Sequence, residues 1–323
     1  MLTDDVLALL ADGEYHSGQN LADAQSVSRT AIWKHIQTIA DLGVQVERVR
    51  GRGYRVPGGL ELLDSGLIRG ALSSEAADAL TDLSILRSVD STNAELQRRS
   101  PLTQGATVCL AERQTAGRGR RGRAWVSPFG SSIYASTAWR FASGAAAFEG
   151  LSLVVGVLVC RALTELGIDG LALKWPNDVL RHGRKLAGIL VEMSGDVSGP
   201  CTAVIGIGIN VAMPTSAIDS IDQPWADLRA PTGTFPSRNK LVSALLNQLL
   251  PALDGYERAG FASWRDEWHS LDAYARKSVL IHSASKSIAG VADGVDERGA
   301  LLLQTGNGVH RVHGGEVSLR LAE

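Results

Sequence analysis

Apolar residues recur at helical spacing near the start of the chain, and serine residues stand in front of the apolar runs. The two clearest apolar stripes consist of Val6, Leu7 and Leu10 and of Ile32, Ile36 and Ile39. Ser17 and Ser28 are suited to begin helices, because a serine side chain accepts a hydrogen bond from a backbone N–H of the first turn. The short turn between these helices predicts a helix-turn-helix unit.

Residues 44–56 alternate apolar and polar positions around a glycine turn, which predicts a β-hairpin after the third helix. Basic residues outnumber acidic ones between Arg29 and Arg55, although the whole chain has a net charge of −2. We therefore expect a winged helix-turn-helix that places its third helix in the major groove of DNA and its wing on phosphates. The expected DNA contacts are Ser28, Arg29, Thr30, Lys34, Arg48, Arg50 and Arg52.

Two points about this module stay open at the level of sequence. Its arginines would also suit a solvated face of a small helical domain, or a module that binds another protein. Trp33 fits either a place beside Ile36 in the core or a place on the face that reads DNA.

Pro57-Gly58-Gly59 marks a boundary, after which residues 60–80 have a helical pattern. The expected strands beyond it are Asp82–Val89, Ala106–Glu112, Ser131–Trp139, Gly170–Trp175, Ala187–Met193 and Thr202–Ile207. The expected helices are Thr92–Ser100, Phe148–Gly167 and Asn239–Glu257. Strands outnumber helices and do not alternate with them regularly, so the pattern favours an α+β domain over a doubly wound one.

The last part of the chain has short apolar runs divided by turn residues, which predicts a small all-β barrel. Its expected strands are Ser278–Ser283, Ser287–Val295, Ala300–Gln304 and Val309–His313. A chain of 323 residues exceeds the roughly 250–300 residues that one hydrophobic core supports. We expect three domains, a winged helix-turn-helix at 1–59, a central α+β domain at 60–271 and a β-barrel at 272–323.

Composition and missing motifs narrow the class of protein. Cys109, Cys160 and Cys201 have no metal-binding spacing, which is typical of buried thiols in a reducing compartment. The chain starts with acidic residues rather than a signal peptide, and its longest apolar run, Leu151–Cys160, is shorter than the ~20 residues of a membrane helix. We expect a cytoplasmic protein without a membrane segment. The sequence contains no H-E-x-x-H or C-x-x-C motif, so zinc chemistry has no support.

Glycine and arginine share one short segment, Gly117-Arg118-Gly119-Arg120-Arg121-Gly122-Arg123. Glycines let backbone N–H groups turn toward an anion, and crowded guanidinium groups repel one another unless an anion binds between them. The spacing matches G-x-G-x-x-G, but a dinucleotide fingerprint opens a helix and needs an acidic residue about 20 positions later. Ala142 stands there instead. The segment predicts an anion-binding loop, and a solvated basic loop that becomes ordered on its ligand is compatible with this.

A second motif contains polar residues of the kinds that bind nucleotides, Lys174-Trp175-Pro176-Asn177-Asp178. Asp178 suits a metal ion or a ribose hydroxyl and Asn177 a base or a phosphate, although capping of a turn is the simpler interpretation. Lys185 begins an apolar strand, which is costly unless the ammonium meets an anion.

Glycines also interrupt the strand that contains Gly206 and Gly208, so either a ligand approaches its backbone or the strand has a bulge. Taken together, these segments favour a reaction that depends on positioning and charge. Attack of a carboxylate on a nucleotide α-phosphate is such a reaction.

The order of these motifs resembles that of biotin–protein ligases. The motifs are Ser91-Thr92-Asn93, Gln114 with Gly117–Arg123, Lys174–Asp178, Arg184–Leu190 and Gly206–Asn210. With its N-terminal module, the whole chain is similar to the bifunctional members of that family, which also repress biotin synthesis genes. The resemblance implies a central domain related to class II aminoacyl-tRNA synthetases and an SH3-like C-terminal barrel.

The resemblance also implies a two-step reaction. Biotin and ATP give biotinoyl-5′-AMP and pyrophosphate with Mg²⁺, and a lysine of a biotin carboxyl carrier protein then takes the biotin. The implied catalytic residues are Lys185, Arg118 and Arg120. The implied biotin-binding residues are Ser91, Thr92, Asn93, Gln114, Gly117, Arg118, Gly119, Arg120, Trp125, Lys185, Gly188, Gly206 and Gly208. The implied ATP-binding residues are Arg121, Asn177, Asp178, Asn210 and Trp225.

The implied partners are the carrier protein, operator DNA and, with adenylate bound, a second copy of the chain. Mg²⁺ is expected to arrive with ATP rather than in a protein cage, and Trp225 is expected to cover the adenine after a loop from about Ala212 to Pro224. Two alternatives stay open, a ligase for lipoate or octanoate and a ligand-sensing repressor without catalysis.

Overall fold

The computed structural model describes residues 2–99, 105–142, 144, 148–195, 199–214, 221, 223–230, 235–283, 287–314 and 317–322. Within these ranges the strands form three sheets, a two-stranded hairpin near the N-terminus, a seven-stranded central sheet and a five-stranded C-terminal sheet. No helix of the described ranges has the length and apolarity needed to cross a bilayer.

The N-terminal module is a helix-turn-helix followed by a wing, as the sequence predicts. Its elements are α1 (Leu2–Leu10), α2 (Gly18–Ala24), α3 (Arg29–Asp41), β1 (Glu47–Val49) and β2 (Gly53–Arg55). The Ser17 hydroxyl accepts from the backbone N–H of Asn20 at 3.0 Å, and that of Ser28 accepts from Ala31 at 3.2 Å. Both serines therefore act as N-caps.

The wing is attached to the turn between α1 and α2. The backbones of His16 and Tyr54 exchange two hydrogen bonds of 2.9 Å. Gly53, beside Tyr54, has φ +112°, and a Cβ there would lie 2.0 Å from the His16 carbonyl oxygen. Only glycine allows this close approach, so the wing is held against the helices.

The segment after the module differs from the prediction of one helix over 60–80. Residues 60–64 are not helical, and two short helices follow, α4 (Ser65–Gly70) and α5 (Ser74–Ala79). Asp64 and Ser73 cap these helices, which explains why the helical pattern is interrupted.

A buried ion pair fixes the same segment to the central domain. Arg238 Nη1 lies 2.7 Å from Glu112 Oε2, with both side chains fully buried. Arg238 also donates to the carbonyl oxygens of Glu61 and Ser132, and Glu112 accepts from the backbone N–H of Leu63. These bonds satisfy the polar atoms that burial removes from water.

The central domain combines a mixed sheet with helices, in agreement with the α+β prediction. Its strands are β3 (Leu80–Leu86), β4 (Ala106–Ala111), β5 (Ser132–Phe141), β6 (Leu171–Lys174), β7 (Asp178–Arg181), β8 (Arg184–Gly195) and β9 (Cys201–Asn210). The strand order is β3-β4-β5-β9-β8-β7-β6, with β3 and β4 parallel and the other neighbours antiparallel. The helices are α6 (Thr92–Arg98), α7 (Leu151–Glu165), α8 (Arg238–Ala259) and α9 (Arg265–Leu271).

Two central elements were not predicted from the sequence. The strand β7 is only four residues long and starts inside the motif that suggested a turn, and α9 opens with charged residues instead of an apolar stripe. The other expected elements are present with shifted ends, and Ser100, the expected end of α6, lies outside the described residues. The helix α7 begins at Leu151 because Gly150, its N-cap, has φ +72°.

The C-terminal sheet packs on the central domain rather than standing apart. Its strands are β10 (Ser278–His282), β11 (Ser287–Val295), β12 (Leu301–Thr305), β13 (Gly308–Val312) and β14 (Ser318–Leu321). Their order is β13-β12-β11-β10-β14, and β14 was missed by the sequence analysis. Apolar residues of this sheet, such as Val279 and Leu303, belong to the same core cluster as the helices α7 and α8.

The N-terminal module has a separate core with one contribution from the central domain. Ile32, Leu7 and their apolar neighbours form this second cluster, and Phe129 is buried within it. Because Phe129 closely follows the glycine–arginine segment, that segment is linked by a short stretch of chain to the core of the N-terminal module.

Candidate active site

A cavity of about 670 Å³ opens over the strands β8 and β9, beside the start of α6. The predicted residues on its wall are Ser91, Thr92, Asn93, Gln114, Arg118, Gly119, Arg120, Arg121, Trp125, Asn177, Asp178, Lys185, Gly188, Gly206, Gly208, Asn210 and Trp225. The sheet brings these distant segments together. Of the predicted ligand-binding set, Gly117 is the one that does not line the cavity.

Gly117 lies behind the cavity wall and closes the base of the glycine–arginine loop. Its carbonyl accepts from the backbone N–H of Trp125 at 2.9 Å, and a Cβ at Gly117 would lie 2.6 Å from the Trp125 carbonyl oxygen. The glycine at position 117 therefore has a structural reason. This glycine permits the close approach of two chain segments that shapes the loop.

Side-chain amides and hydroxyls form a network at one end of the cavity. The backbone N–H and hydroxyl of Thr92 donate to Gln114 Oε1 at 2.9 and 3.1 Å. The Ser136 hydroxyl lies 2.7 Å from Thr92 Oγ1 and 2.6 Å from Asn93 Oδ1. The sequence analysis missed Ser136, because one serine within an apolar strand carries no local signal. The network orients Thr92, Asn93 and Gln114, and these three residues line a slot of the cavity that suits a ligand with a small polar ring.

Glycines make room at the floor of this slot. A Cβ at Gly206 would lie 2.4 Å from Asn93 Oδ1, and one at Gly208 would lie 2.5 Å from the indole of Trp125. At Gly188 the distance to the same indole would be 2.9 Å. Trp125 therefore packs directly on the strands β8 and β9, and larger residues would displace it.

The arginines of the loop are held by partners on different elements. Arg118 lies 3.2 Å from Glu192 Oε2, and the same carboxylate accepts from Asn93 Nδ2 at 2.7 Å. Arg120 donates to Asn177 Oδ1 at 3.2 Å and to the carbonyl of Gly314 in the C-terminal domain. Burial lowers the pKa of Arg120. These contacts separate the guanidinium groups, which reduces the repulsion expected from the sequence.

A cluster of two lysines and one carboxylate lies at the other side of the cavity. Lys185 Nζ is 2.7 Å from Asp178 Oδ1, and Lys174 Nζ is 3.8 Å from Asp178 Oδ2. Burial lowers the pKa of Lys174, and the nearby charge of Lys185 lowers it further, whereas Asp178 opposes both effects. The cluster has an excess of positive charge, which favours an anion.

Backbone hydrogen bonds hold Trp225 beside Lys185. The backbone N–H of Lys185 donates to Pro224, and the carbonyl of Lys185 accepts from Ala226, at 3.0 and 2.9 Å. Residues 215–220 and 222 of the expected adenine loop lie outside the described residues. Trp225 therefore lies beside Lys185 at the cavity wall, which is a suitable position for a side chain that stacks on a base.

Two asparagines of the predicted nucleotide site make hydrogen bonds to the protein. Asn177 accepts from Arg120 and donates through Nδ2 to the carbonyl of Ile189 at 2.8 Å. Asn210 Nδ2 donates to the carbonyl of Ala226 at 3.0 Å. Both amides therefore position neighbouring segments, and the oxygen of Asn210 is the atom we expect to contact a nucleotide or its ion.

The C-terminal domain completes the cavity wall, which the sequence analysis did not predict. The added wall residues are Tyr274, Val317, Ser318, Leu319, Arg320 and Leu321. Nothing in the local sequence of β14 indicates a site, since its role follows from packing against the central domain. Among the described residues, no group of three or more His, Cys, Asp or Glu side chains is arranged to hold a metal ion.

The predicted DNA-binding residues of the N-terminal module are all exposed. Ser28 caps α3, Arg29, Thr30 and Lys34 lie on that helix, and Arg48, Arg50 and Arg52 lie on the wing. The Arg52 guanidinium lies 3.9 Å from the ring centroid of Tyr15. Arg55 differs from them, because it is half-buried and lies 2.7 Å from Glu47.

Three family models match the chain, and each match covers the part of the chain that contains one of the three sheets. Residues 3–55 match the HTH domain, residues 85–210 match the biotin/lipoate A/B protein ligase family, and residues 277–320 match the biotin protein ligase C-terminal domain.

Whole-chain relatives and solved structures extend this similarity. The bifunctional ligase/repressor BirA of Escherichia coli strain K12 is 42% identical over 318 residues, which cover 98% of this chain and 97% of the relative. BirA of Bacillus subtilis strain 168 is 31% identical over 322 residues, covering 98% of each. The biotin protein ligase from Aquifex aeolicus in complex with biotin and ATP is 30% identical with a TM-score of 0.65, covering 75% of this chain and 100% of that chain.

Proposed function

The chain belongs to the biotin protein ligase family, and from that premise we propose that the cavity over β8 and β9 joins biotin to AMP and then to protein. It is an ATP-dependent ligase with an N-terminal repressor domain, as its full-length relatives are. The acceptor is a lysine of a biotin carboxyl carrier protein. The proposal depends mainly on the cluster of Lys185, Lys174 and Asp178 beside the glycine–arginine loop. In this cluster Lys185 Nζ lies 2.7 Å from Asp178 Oδ1.

The biotin subsite is the slot formed by Thr92, Asn93 and Gln114 over the glycine floor, and the buried Ser136 hydroxyl holds Thr92 and Asn93 by hydrogen bonds. Its amide and hydroxyl groups suit the donors and acceptors of the ureido ring, and its apolar wall suits the remaining carbons. Trp125 supports this assignment, because its buried Nε1 has no acceptor among the described residues. A buried donor of this kind is suited to a ligand acceptor. Ser91, Gly119 and the remaining wall residues of the predicted set complete the subsite.

The first chemical step is attack by one biotin carboxylate oxygen on the α-phosphorus of ATP. A carboxylate–phosphorus bond forms, the bond to the β-phosphate oxygen breaks, and pyrophosphate leaves with the electron pair. Lys185, Arg118 and Arg120 lie where they can neutralise the charge that gathers on the carboxylate and α-phosphate oxygens. Such charge placement in a closed site is the main source of rate acceleration in reactions of this type.

The nucleotide subsite lies on the side of Asp178 and Trp225. Trp225 stacks on the adenine, Arg121 approaches the phosphates, and Asn177 and Asn210 hold the surrounding segments. Mg²⁺ prefers one or two carboxylates together with phosphate oxygens, and the carboxylate of Asp178 fits that donor set when ATP is bound. The ion supplies charge neutralisation on the phosphates.

The second step transfers biotin to protein. The uncharged ε-amine of the carrier lysine attacks the anhydride carbonyl, AMP leaves with the bonding electrons, and the amine loses one proton. We propose that the glycine–arginine loop orders over the adenylate and protects the anhydride from water until the carrier arrives.

The winged module gives the same chain its repressor role. We propose that adenylate binding promotes a homodimer whose two modules bind a two-fold operator. The proposed domains span residues 1–59, 60–271 and 272–323. In this proposal the central domain is related to class II aminoacyl-tRNA synthetases, and the last domain is an SH3-like barrel. The largely antiparallel central sheet and the order of the five C-terminal strands support these relations.

Thermal unfolding with different acids tests the substrate assignment. Biotin at about 100 times its dissociation constant stabilises the native state by roughly 2.7 kcal/mol. Lipoate and octanoate at the same concentration are expected to have no effect. Stabilisation by lipoate but not by biotin would overturn the biotin assignment.

A further inference from the structure

Trp33 lies on the outer face of α3, with 49% of its surface exposed. The buried face of the same helix consists of Ile32, Ile36 and Ile39, and Trp33 lies about a quarter turn away from it. The structure therefore resolves the question left by the sequence. Trp33 is not part of the core, and a large apolar side chain stands in solvent where polar residues are the rule.

The neighbours of Trp33 are the residues that meet DNA in the proposed function. Arg29 precedes it by one helical turn, Thr30 by slightly less, and Gln37 follows it by one turn, so all of them share one face of α3. All are exposed. The basic residues Arg29 and Lys34 of the same helix are exposed as well, so this side of α3 combines positive charge with one uncharged aromatic side chain.

We propose that Trp33 is a specificity-determining residue that reads a thymine in the major groove, an inference that rests on the proposed DNA binding of this module. Thymine presents one acceptor, O4, next to its C5-methyl group. An indole presents one donor, Nε1–H, beside a wide apolar surface. Thymine is thus the base whose major-groove edge matches both properties of Trp33, since among the four bases only thymine has a methyl group beside its acceptor there.

The charges around Trp33 favour DNA over other occupants of this face. Arg29 and Lys34 on the same helix and Arg48, Arg50 and Arg52 on the wing are all exposed cations in a chain whose net charge is −2. This local excess of positive charge favours a polyanion such as the DNA backbone. The helix also presents its N-terminal half, which in helix-turn-helix proteins is the part nearest the bases.

The test replaces single thymines by deoxyuridine, which lacks only the methyl group. Duplexes selected from a random library by the wild-type protein with biotin, ATP and Mg²⁺ supply the binding site, and each thymine in it is then replaced in turn. We expect one position in a half-site at which the replacement weakens wild-type binding about fourfold, the effect of removing one buried methyl group.

Variants of Trp33 assign that effect to the indole. In Trp33→Ala the penalty for deoxyuridine is expected to vanish, whereas in Trp33→Phe, which keeps an apolar ring, it is expected to persist. In Arg50→Ala both duplexes are expected to bind more weakly by the same factor, because a phosphate contact carries no base information. Unchanged thermal unfolding of the Trp33 variants shows that they are folded.

Two negative results have different meanings. An equal deoxyuridine penalty in the wild-type protein and in Trp33→Ala, or no penalty at any thymine, overturns the role of Trp33 while DNA binding stands. Absence of binding to any duplex in the library overturns the repressor function, and the inference with it.

Discussion

The ammonium of Lys185 lies 2.7 Å from the carboxylate of Asp178, and the ammonium of Lys174 lies 3.8 Å from the same group. One carboxylate thus holds two cations at the wall of the cavity before any substrate is bound. This arrangement keeps Lys185 in place at little reorganisation cost, because the lysine needs only to exchange part of its contact with Asp178 for substrate oxygens.

Removal of this charge is expected to affect the chemical step. In Lys185→Ala, formation of biotinoyl-5′-AMP in a single turnover should slow by about 10²–10³-fold, as expected when one group that stabilises the transition state is lost. The neighbouring variant Arg184→Ala removes an exposed cation and should keep the wild-type rate. Equal rates in the wild-type protein and Lys185→Ala would show that Lys185 is not part of the machinery.

The glycine floor should be essential for binding biotin. In Gly208→Ala the new Cβ would lie 2.5 Å from the Trp125 indole, so the ring must move into the slot. Overpacking of this kind costs about 1–3 kcal/mol, which corresponds to roughly 10–100-fold weaker biotin binding if the cost falls on the bound state. Calorimetric titration with biotin measures this. Gly255→Ala, where no atom lies within 4 Å of the new Cβ, is the matched control and should bind normally.

The buried pair of Arg238 and Glu112 should be important for stability. In Arg238→Met a fully buried carboxylate loses its cation, which is expected to lower the free energy of unfolding by about 3–5 kcal/mol. Urea denaturation monitored by fluorescence measures this change. A second substitution, Glu112→Leu, should restore part of the loss, because no buried charge then remains. In the exposed pair of Arg298 and Glu149, the variant Arg298→Met should have a much smaller effect.

The wing should contribute to DNA binding without regard to base sequence. For Arg50→Ala the slope of log K against log[salt] is expected to become less steep by about 0.9, the value for one phosphate contact. Fluorescence anisotropy with biotin, ATP and a labelled duplex gives the slope. Arg69→Ala removes an equal charge from α4, outside the module, and should leave it unchanged. A similar change of slope in both variants would indicate a general charge effect and exclude a contact by Arg50.

Local signals in the sequence were sufficient for the elements of the N-terminal module and for the charged and glycine-rich segments of the cavity, whereas Thr92, Gln114 and Trp225 were expected only from the resemblance to a family. Ser17 and Ser28 have the side chains that N-caps need, and both occupy those positions. Lys185 and Asn177 belong to polar segments that suit an anion, and Gly208 belongs to a strand whose glycines permit close approach. The central sheet places all three on one cavity wall. In these cases the chemistry of a residue is visible in its immediate neighbours.

Features that depend on distant parts of the chain were not visible. Ser136 holds Thr92 and Asn93 only because α6 packs against β5, and Arg320 reaches the cavity only because the C-terminal sheet packs there. The short strand β7 was hidden within a motif that looks like a turn. Phe129 likewise belongs to the core of the N-terminal module, although it is far from that module in sequence.

The link through Phe129 connects the two activities of the chain in space. The stretch from Trp125 to Phe129 joins the floor of the cavity to the core of the winged module, and Arg87 adds an ion pair of 2.6 Å to Asp4 in α1. The proposed ordering of the loop on adenylate formation therefore has a short physical connection to the N-terminal module.

The central claim is that the cavity activates biotin by transfer of AMP. Its most direct test is exchange of labelled pyrophosphate into ATP, measured with the purified protein, Mg²⁺ and biotin. We predict exchange that requires biotin, because the adenylation step must run in both directions for label to enter ATP. Absence of exchange in folded protein that binds biotin, or exchange that is independent of biotin, would contradict the account.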